Sequence, residues 1–304
     1  MKEHSLDRLQ TRINEMKNPT CLGLDPRPDV VPGFLFDESG DLEEGLYQFG
    51  KRLIDATADL LPAVKPQFAY YEACGIPGLL AVQRTMSYAR EKGMLVIADA
   101  KRGDIGSTSE AYAKAFLGET NMAGEKFSAF PADVVTVQPY TGSDGVKPFL
   151  DTAVAHEKGL FLLCRTSNPS AKDLQDLQLT SGSAVVEELA MLIRDWGQPY
   201  VTPTYDLSAL GAVVGATYPA EAAHLRKLMP QTFFLVPGYG AQGAGADDAV
   251  AGFRNDNSGC VVNASRSIAM AYKKFNMPVE DFAEAARLEV VEMKEKLNAA
   301  LARR

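Results

Sequence analysis

The sequence predicts an α/β fold in which eight parallel strands alternate with helices and close into a single-domain (β/α)8 TIM barrel. Short apolar runs rich in β-branched residues recur about eight times along the 304 residues. Between them lie stretches whose apolar residues are three or four positions apart, as in an amphipathic helix. Strands that are apolar throughout are typical of a parallel sheet covered by helices. An open doubly wound sheet is the alternative fold.

The individual elements follow from these two patterns. The predicted strands span residues 20–24, 63–66, 95–99, 134–138, 160–164, 212–214, 233–236 and 260–263. Helical spacing is clear for Leu46, Phe49 and Leu53, and again from Leu79 to Ala89. We found neither a Pro/Gly/Ser-rich linker nor a short repeat, so we expect one domain over residues 1–304. We also expect an N-terminal helix over about 1–18 and a C-terminal helix over about 275–304 that packs on the barrel.

Composition excludes several classes of function. The chain is 46% hydrophobic and 23% charged, as in an ordinary globular enzyme, and its net charge is −8. We expect no nucleic-acid partner, because the charge is acidic and no basic run is interleaved with aromatic residues. The sequence has no run of about 18 apolar residues and no apolar signal segment, so we expect neither membrane insertion nor secretion. The four cysteines have no CxxC spacing, which suits a reducing cytoplasm.

Functional groups of a β/α-barrel lie where strands end, because the following loops build the pocket. Many of the predicted strands end in polar residues or in glycine. The residues at or just after these strand ends are Asp25, Lys65, Asp99, Lys101, Gln138, Thr166, Ser167, Pro237, Gly238, Asn263, Ser265 and Arg266.

The segment after the third strand carries the strongest chemical signal. Asp99 and Lys101 are two residues apart, so both side chains point into the barrel mouth if the strand continues. They could instead form a structural ion pair, but apolar residues often replace such a pair without loss of stability, so its presence indicates function. Asp104 follows on a glycine-containing turn, where an acid is also favoured simply as the start of a helix.

The loops after the seventh and eighth strands, GYGAQGAG and NASRS, suit a phosphate group. Gly238 and Gly240 let backbone N–H groups approach an anion, and Gln242 can add an amide donor. Arg266 can bind the anion through a charge-assisted pair of hydrogen bonds, although a surface arginine at a helix start is the alternative.

The segment DAKRGDI, with its DxKxxD pattern directly after an apolar strand, resembles the active-site segment of the orotidine 5′-phosphate decarboxylase family. The resemblance covers most of the chain in the order of the strand ends. Asp25 matches on the first strand, Lys65 on the second and Ser167 on the fifth, followed by VPGYGAQG and NASRSI. The long segments between strands resemble those of the longer bacterial branch of the family.

The resemblance implies a carbon–carbon lyase that converts orotidine 5′-phosphate to uridine 5′-phosphate and CO2 without a cofactor or metal, the last step of de novo pyrimidine nucleotide synthesis. It implies that Lys65, Asp99, Lys101 and Asp104 form a charged network beside the pyrimidine. It also implies a cytoplasmic homodimer with shared active sites, in which Asp104 and Thr108 reach the neighbouring subunit's site.

The resemblance assigns further residues to substrate binding. Ser167 would read the amide edge of the pyrimidine, although its surroundings also suit a plain turn. Asp25 would bind a ribose hydroxyl, unless it only initiates the turn at Pro26. Pro237, Gly238, Gly240, Gln242, Ser265 and Arg266 would belong to the phosphate-binding loops.

The chemistry explains why such a network is needed, because loss of CO2 leaves a carbanion-like centre at C6 and no cofactor accepts the electrons. We expect the Lys101 ammonium to stabilise that charge and then to protonate C6, with Asp99 orienting it. Lys65 would balance the aspartates, or could be a lysine with a buried stem and a solvated tip. We expect the Lys101 ammonium to be held away from bulk water.

Two other functions are compatible with some of these residues. Magnesium-dependent sugar-phosphate decarboxylases and aldolases share DxKxxD, but they need a carboxylate on the second strand, where Lys65 would repel the cation. A barrel that only binds a phosphorylated ligand would not require Asp99 and Lys101.

Overall fold

The computed structural model describes residues 3–240 and 243–304. Its strands are β1 (Thr20–Leu24), β2 (Ala63–Pro66), β3 (Leu95–Arg102), β4 (Thr120–Met122), β5 (Glu125–Phe127), β6 (Val134–Val137), β7 (Gly159–Arg165), β8 (Leu210–Val214), β9 (Phe234–Val236) and β10 (Cys260–Ala264). Eight of these strands close into a barrel in the order β1-β10-β9-β8-β7-β6-β3-β2, and every neighbouring pair is parallel. The predicted barrel is confirmed, and the open sheet is excluded.

Helix α1 precedes the first strand and packs at one end of the barrel, and most of the other helices follow strands and cover its outside. They are α1 (Ser5–Met16), α2 (Phe34–Ser39), α3 (Leu42–Thr57), α4 (Phe68–Glu72), α5 (Gly75–Glu91), α6 (Gly106–Leu117), α7 (Ser143–Ala155), α8 (Val185–Gly197), α9 (Pro219–Leu228), α10 (Ala246–Ala249), α11 (Arg266–Ala269), α12 (Ala271–Phe275) and α13 (Phe282–Ala302). Single 3-10 turns occupy Pro169–Asp173, Gln198–Tyr200 and Val279–Asp281. None of the helices described is long and apolar enough to cross a membrane.

The β4–β5 hairpin was not predicted from the sequence. It is a two-stranded antiparallel ribbon outside the barrel, inserted between α6 and β6. Its two turn residues, Ala123 and Gly124, both have positive φ, which is the backbone that a tight hairpin turn requires. The strands are only three residues long and largely exposed, so they lack the apolar alternation on which the prediction relied.

The barrel interior is filled from its N-terminal end. Helix α1 places Leu6, Leu9 and Ile13 in one apolar cluster with inward-facing strand residues such as Phe161 and Phe233. A larger apolar cluster joins the outer faces of the strands to the surrounding helices. Helix α1 and these side chains fill the N-terminal end of the barrel. Because all eight strands are parallel, their polar C-terminal ends lie together around the opposite end.

Candidate active site

A cavity of about 490 Å3 opens at the C-terminal end of the barrel. Most of the residues predicted for the site line it, namely Asp25, Lys65, Asp99, Lys101, Ser167, Pro237, Gly238, Ser265 and Arg266. Gly240, Asp104 and Thr108 are not among the residues that line this cavity in a single chain. Gln242 lies outside the described residues.

Asp99 is the centre of the charged network in this cavity. Its Oδ2 accepts a hydrogen bond from Lys65 Nζ at 2.6 Å and another from Gln67 Nε2 at 2.8 Å. Its Oδ1 accepts from Lys101 Nζ at 2.5 Å and from Thr136 Oγ1 at 3.0 Å. Four donors therefore fix the carboxylate from both sides, which gives each lysine one defined position relative to it.

The network keeps Asp99 and Lys65 charged despite their burial. Burial by itself raises the pKa of Asp99, but the charges of Lys65 and Lys101 and their hydrogen bonds hold it below its ordinary value. Burial likewise lowers the pKa of Lys65, but the nearby carboxylates of Asp99 and Asp25 raise it above its ordinary value. The resulting charges, cation–anion–cation, are stable only as a group, because each ion would be costly to bury alone.

The expectation that Lys101 is held away from water is wrong for the cavity as it stands. The side chains of Lys65 and Asp99 are 5% and 8% exposed, whereas that of Lys101 is 40% exposed. Lys101 lines the cavity, and its ammonium donates to Asp99 Oδ1 at 2.5 Å although much of its side chain is exposed. The structure thus has a buried ion pair, Lys65 and Asp99, and a more exposed lysine, Lys101, that bonds the same carboxylate.

Strand β3 does continue past Asp99 to Arg102, but it is not regular through Lys101. The register between β3 and β6 shifts after Ala98, and Lys101 has a φ of 45°, in the left-handed region. A non-glycine residue there is uncommon and costs conformational energy. Asp99 and Lys101 still meet, but through this bulge and not through simple strand alternation.

Two residues that hold Asp99 were missed at the sequence level, Gln67 and Thr136. Gln67 follows Lys65 by two positions and therefore shares its face, a signal that could have been used. Thr136 stands in the otherwise apolar strand VVTV and is fully buried. A hydroxyl inside a barrel strand needs a hydrogen-bond partner, which is a second signal for the site.

Beside the charged network, residues at the ends of β1 and β10 have buried polar atoms that are available to a ligand. Within residues 3–240 and 243–304, the buried atoms Asp25 Oδ1 and Asn263 Oδ1, which belong to cavity-lining residues, have no hydrogen-bond partner. Such atoms are costly to bury unless something binds them. Ser265 approaches β1 so closely that a Cβ added at Gly23 would lie 1.9 Å from Ser265 Oγ. Glycine at position 23 therefore permits the observed place of this loop.

The loop after β7 is held firmly beside the cavity. The side chain of Gln175 accepts from the Thr166 backbone N–H at 3.2 Å and donates to Thr166 Oγ1 at 2.8 Å. Arg165, whose side chain is 1% exposed, pairs with Asp176 in the same loop and with Glu221 in α9. Ser167 lines the cavity and packs so tightly on Gly215 that a Cβ there would lie 3.0 Å from it.

Asp104 and Thr108 lie outside the cavity, at the start of α6. The Asp104 carboxylate accepts from the Ile105 backbone N–H at 2.7 Å, and its backbone carbonyl accepts from Thr141 Oγ1 at 3.2 Å. Large apolar side chains near them face solvent, with Ile105 57% exposed and Tyr140 85% exposed. This surface therefore combines the two polar residues with exposed apolar area.

Comparison with known proteins places this arrangement in a family. The model of the orotidine 5′-phosphate decarboxylase / HUMPS family matches residues 19–276, which include every strand of the barrel. The chain belongs to this family. The resemblance drawn from DxKxxD and the strand ends is therefore confirmed.

Members of this orotidine 5′-phosphate decarboxylase family match the chain over nearly its whole length. The orotidine 5′-phosphate decarboxylase of Clostridium acetobutylicum is 42% identical over 296 residues, covering 97% of this chain and 99% of the relative. That of Clostridium novyi is 40% identical, covering 96% and 98%. Among solved structures, Leishmania donovani OMP decarboxylase superposes with a TM-score of 0.75 at 30% identity, covering 98% of this chain and 99% of that one.

Proposed function

We propose that this protein is a carbon–carbon lyase that decarboxylates orotidine 5′-phosphate to uridine 5′-phosphate and CO2 without a cofactor. The observation that carries the proposal is the Asp99 carboxylate, held between the ammonium groups of Lys65 and Lys101 at the base of a nucleotide-sized cavity. The orotidine 5′-phosphate decarboxylases that match the chain at 40% identity or more support the same substrate. The product places the enzyme at the last step of pyrimidine nucleotide synthesis.

The reaction needs a positive charge beside C6 of the pyrimidine, where negative charge develops. When the bond between C6 and the carboxylate breaks, its electron pair remains on C6 and CO2 leaves as a neutral molecule. The Lys101 ammonium, fixed by Asp99, stabilises this charge and then transfers a proton to C6. The resulting neutral amine regains a proton from solvent, and the cycle is complete.

Lys65 and Asp99 prepare the site before the substrate arrives. Because Lys65 neutralises part of the Asp99 charge, the substrate carboxylate can enter beside Asp99 without a prohibitive repulsion. Fixed charges also need no rearrangement during the reaction, which is the main advantage of a preorganised site over water.

The rest of the cavity binds the non-reacting parts of the nucleotide. In the proposal, Asp25 accepts a ribose hydroxyl and Ser167 contacts the amide edge of the pyrimidine. Gly238, Gly240, Gln242, Ser265 and Arg266, beside Pro237, receive the phosphate. Binding energy from the phosphate is useful for rate, because it can orient the ring against Lys101 in the transition state.

We further propose a cytoplasmic homodimer in which Asp104 and Thr108 complete the partner's site. Both residues lie beside the exposed Ile105 and Tyr140, and an apolar surface of this kind suits a two-fold interface. The free thiols of Cys21, Cys74, Cys164 and Cys260 suit a reducing compartment.

The substrate and the metal requirement are tested together. Purified protein is expected to convert orotidine 5′-phosphate to uridine 5′-phosphate at the same rate with and without EDTA, because both catalytic cations are lysines. The reaction is followed by the loss of ultraviolet absorbance of the orotate ring. Activity that disappears in EDTA and returns with magnesium would instead support the sugar-phosphate branch of related barrels, and no turnover in either condition would reject the proposed substrate.

Shared active sites are tested by mixing two inactive variants. Lys101→Ala and Asp104→Ala subunits are denatured together and refolded. Half of the dimers then contain one site that carries both substitutions and one that carries neither, so activity recovers to about a quarter of the wild-type value for random pairing. Each variant refolded alone is the control. Failure of the mixture to exceed the sum of the two controls would reject a site shared through Asp104.

A further inference from the structure

The bulge in β3 places three residues opposite a single residue of β6. Ala98 pairs with Val135 and Arg102 pairs with Val137. Three β3 residues, 99–101, therefore lie across from Thr136 alone. This excess length lets the strand present both Asp99 and Lys101 to the cavity, but it removes the regular ladder partners of the residues in between.

The side chain of Thr136 makes hydrogen bonds to β3 where the regular backbone hydrogen bonds between the two strands are interrupted. Its Oγ1 accepts a hydrogen bond from the Lys101 backbone N–H at 2.9 Å. The same hydroxyl donates to Asp99 Oδ1 at 3.0 Å. The direction of both bonds is unambiguous, because an amide N–H can only donate and the ionised carboxylate can only accept. One hydroxyl thus joins the backbone of Lys101 to the carboxylate that holds the Lys101 ammonium.

The surroundings make this hydroxyl difficult to replace. Thr136 is fully buried between the neighbouring strands, and its side chain is stiff because it is β-branched. Lys101 has the positive φ that an L residue adopts only when neighbouring contacts impose it. The backbone of Arg102 also pairs with β6, through its carbonyl and the Gln138 N–H at 2.7 Å, but at Lys101 itself the hydrogen bond to β6 is the one from its N–H to Thr136 Oγ1.

We propose that Thr136 is a positioning residue for the decarboxylation, because its hydroxyl sets both the backbone of Lys101 and the orientation of Asp99. It does not touch the reacting atoms; it acts through the two residues that do. This inference rests on the proposed function for its kinetic part, whereas its geometric part concerns the protein alone.

The test compares two substitutions of nearly the same size. Thr136→Val keeps the shape and removes the hydroxyl, whereas Thr136→Ser keeps the hydroxyl and removes a methyl group. We expect Val to lower kcat by about 10²-fold, since small misplacements of a catalytic group have effects of this order. KM for orotidine 5′-phosphate and affinity for uridine 5′-phosphate should stay within about threefold, because the binding loops are untouched. Ser should restore kcat to within about fivefold of wild type.

Thr20→Val is the matched control. Thr20 is also a fully buried barrel threonine, but its hydroxyl has no hydrogen-bond partner within the described part of the chain. It lies at the first residue of β1, away from the cavity. The same change there should leave kcat unaltered, and thermal unfolding of all three variants checks that each one folds.

A crystal structure of Thr136→Val separates this inference from the proposed function. We expect Lys101 to leave the left-handed region or its ammonium to separate from Asp99 Oδ1, whether or not orotidine 5′-phosphate is the substrate. An unchanged Lys101 and Asp99 geometry would overturn the inference, and so would kcat within about twofold of wild type for Val, or a Ser variant no better than Val. A wild-type protein inactive on orotidine 5′-phosphate would reject the function and leave the structural comparison to decide the role of Thr136.

Discussion

Lys101→Ala is expected to abolish turnover, with a loss in kcat of more than about 10⁴-fold, while uridine 5′-phosphate still binds. The expected loss is large because the proposed mechanism gives the Lys101 ammonium two functions. Removing a donor that stabilises developing charge costs about 10²–10³-fold, and removing a general acid costs about 10²–10⁴-fold. Binding of the product should persist, because the residues proposed to bind its ribose and phosphate lie on other loops of the cavity.

The measurement for Lys101→Ala is a single-turnover assay alongside calorimetric titration with uridine 5′-phosphate. Lys147→Ala is the control, because Lys147 is a surface residue of α7 that pairs with Asp151 outside the cavity. Its turnover should equal that of wild type. Lys101→Ala with turnover close to wild type would remove this residue from the mechanism, and loss of product binding would show that its main role is in affinity.

Asp99→Asn should have the second largest effect, on activity and stability together. The substitution keeps the size of the side chain but leaves the ammonium groups of Lys65 and Lys101 close together without their shared anion. Lys65 is almost fully buried, and removing one partner of a buried ion pair typically costs about 3–5 kcal/mol. We expect kcat to fall by about 10³-fold or more, since Lys101 also loses the group that orients it.

The stability effect of Asp99→Asn depends on pH in a definite direction. The pKa of Asp99 is below its ordinary value in the folded protein, so its ionised form stabilises the fold at every pH above that ordinary value, about 4. This contribution is lost as the pH falls from there towards the folded pKa. The difference in the free energy of unfolding between wild type and Asp99→Asn should therefore be largest near neutrality and shrink below about pH 4.

Chemical denaturation at several pH values measures this difference. Asp59→Asn is the control, because Asp59 pairs with Arg287 at the surface and such pairs contribute less than about 1 kcal/mol. If Asp99→Asn and Asp59→Asn lost the same stability and kept the same activity, the charged network would be neither a structural nor a catalytic unit.

Many residues of the site could be predicted from their position at the ends of the strands. In a β/α-barrel the ends of all strands meet at one mouth, so polar residues that are far apart in sequence, such as Asp25, Lys65 and Ser167, line one cavity. Gln67 and Thr136 were not recognised, although they hold Asp99 directly. The sequence indicated only that each faces the barrel interior; that both bond Asp99 depends on which atoms face each other across neighbouring strands, and strand register is a property of the folded barrel.

The sequence by itself determined the barrel, because the spacing of apolar residues and the polar strand ends are local patterns that recur in each strand and helix of a closed parallel sheet. Only the tertiary structure decided how the third strand ends. Its bulge, the left-handed backbone of Lys101 and the hydroxyl of Thr136 opposite them arise from pairing between β3 and β6. The physical reason is that a strained backbone persists only when neighbouring strands impose it. The apolar period and the strand-end residues of one segment contain no information about which residues of a neighbouring strand it will face.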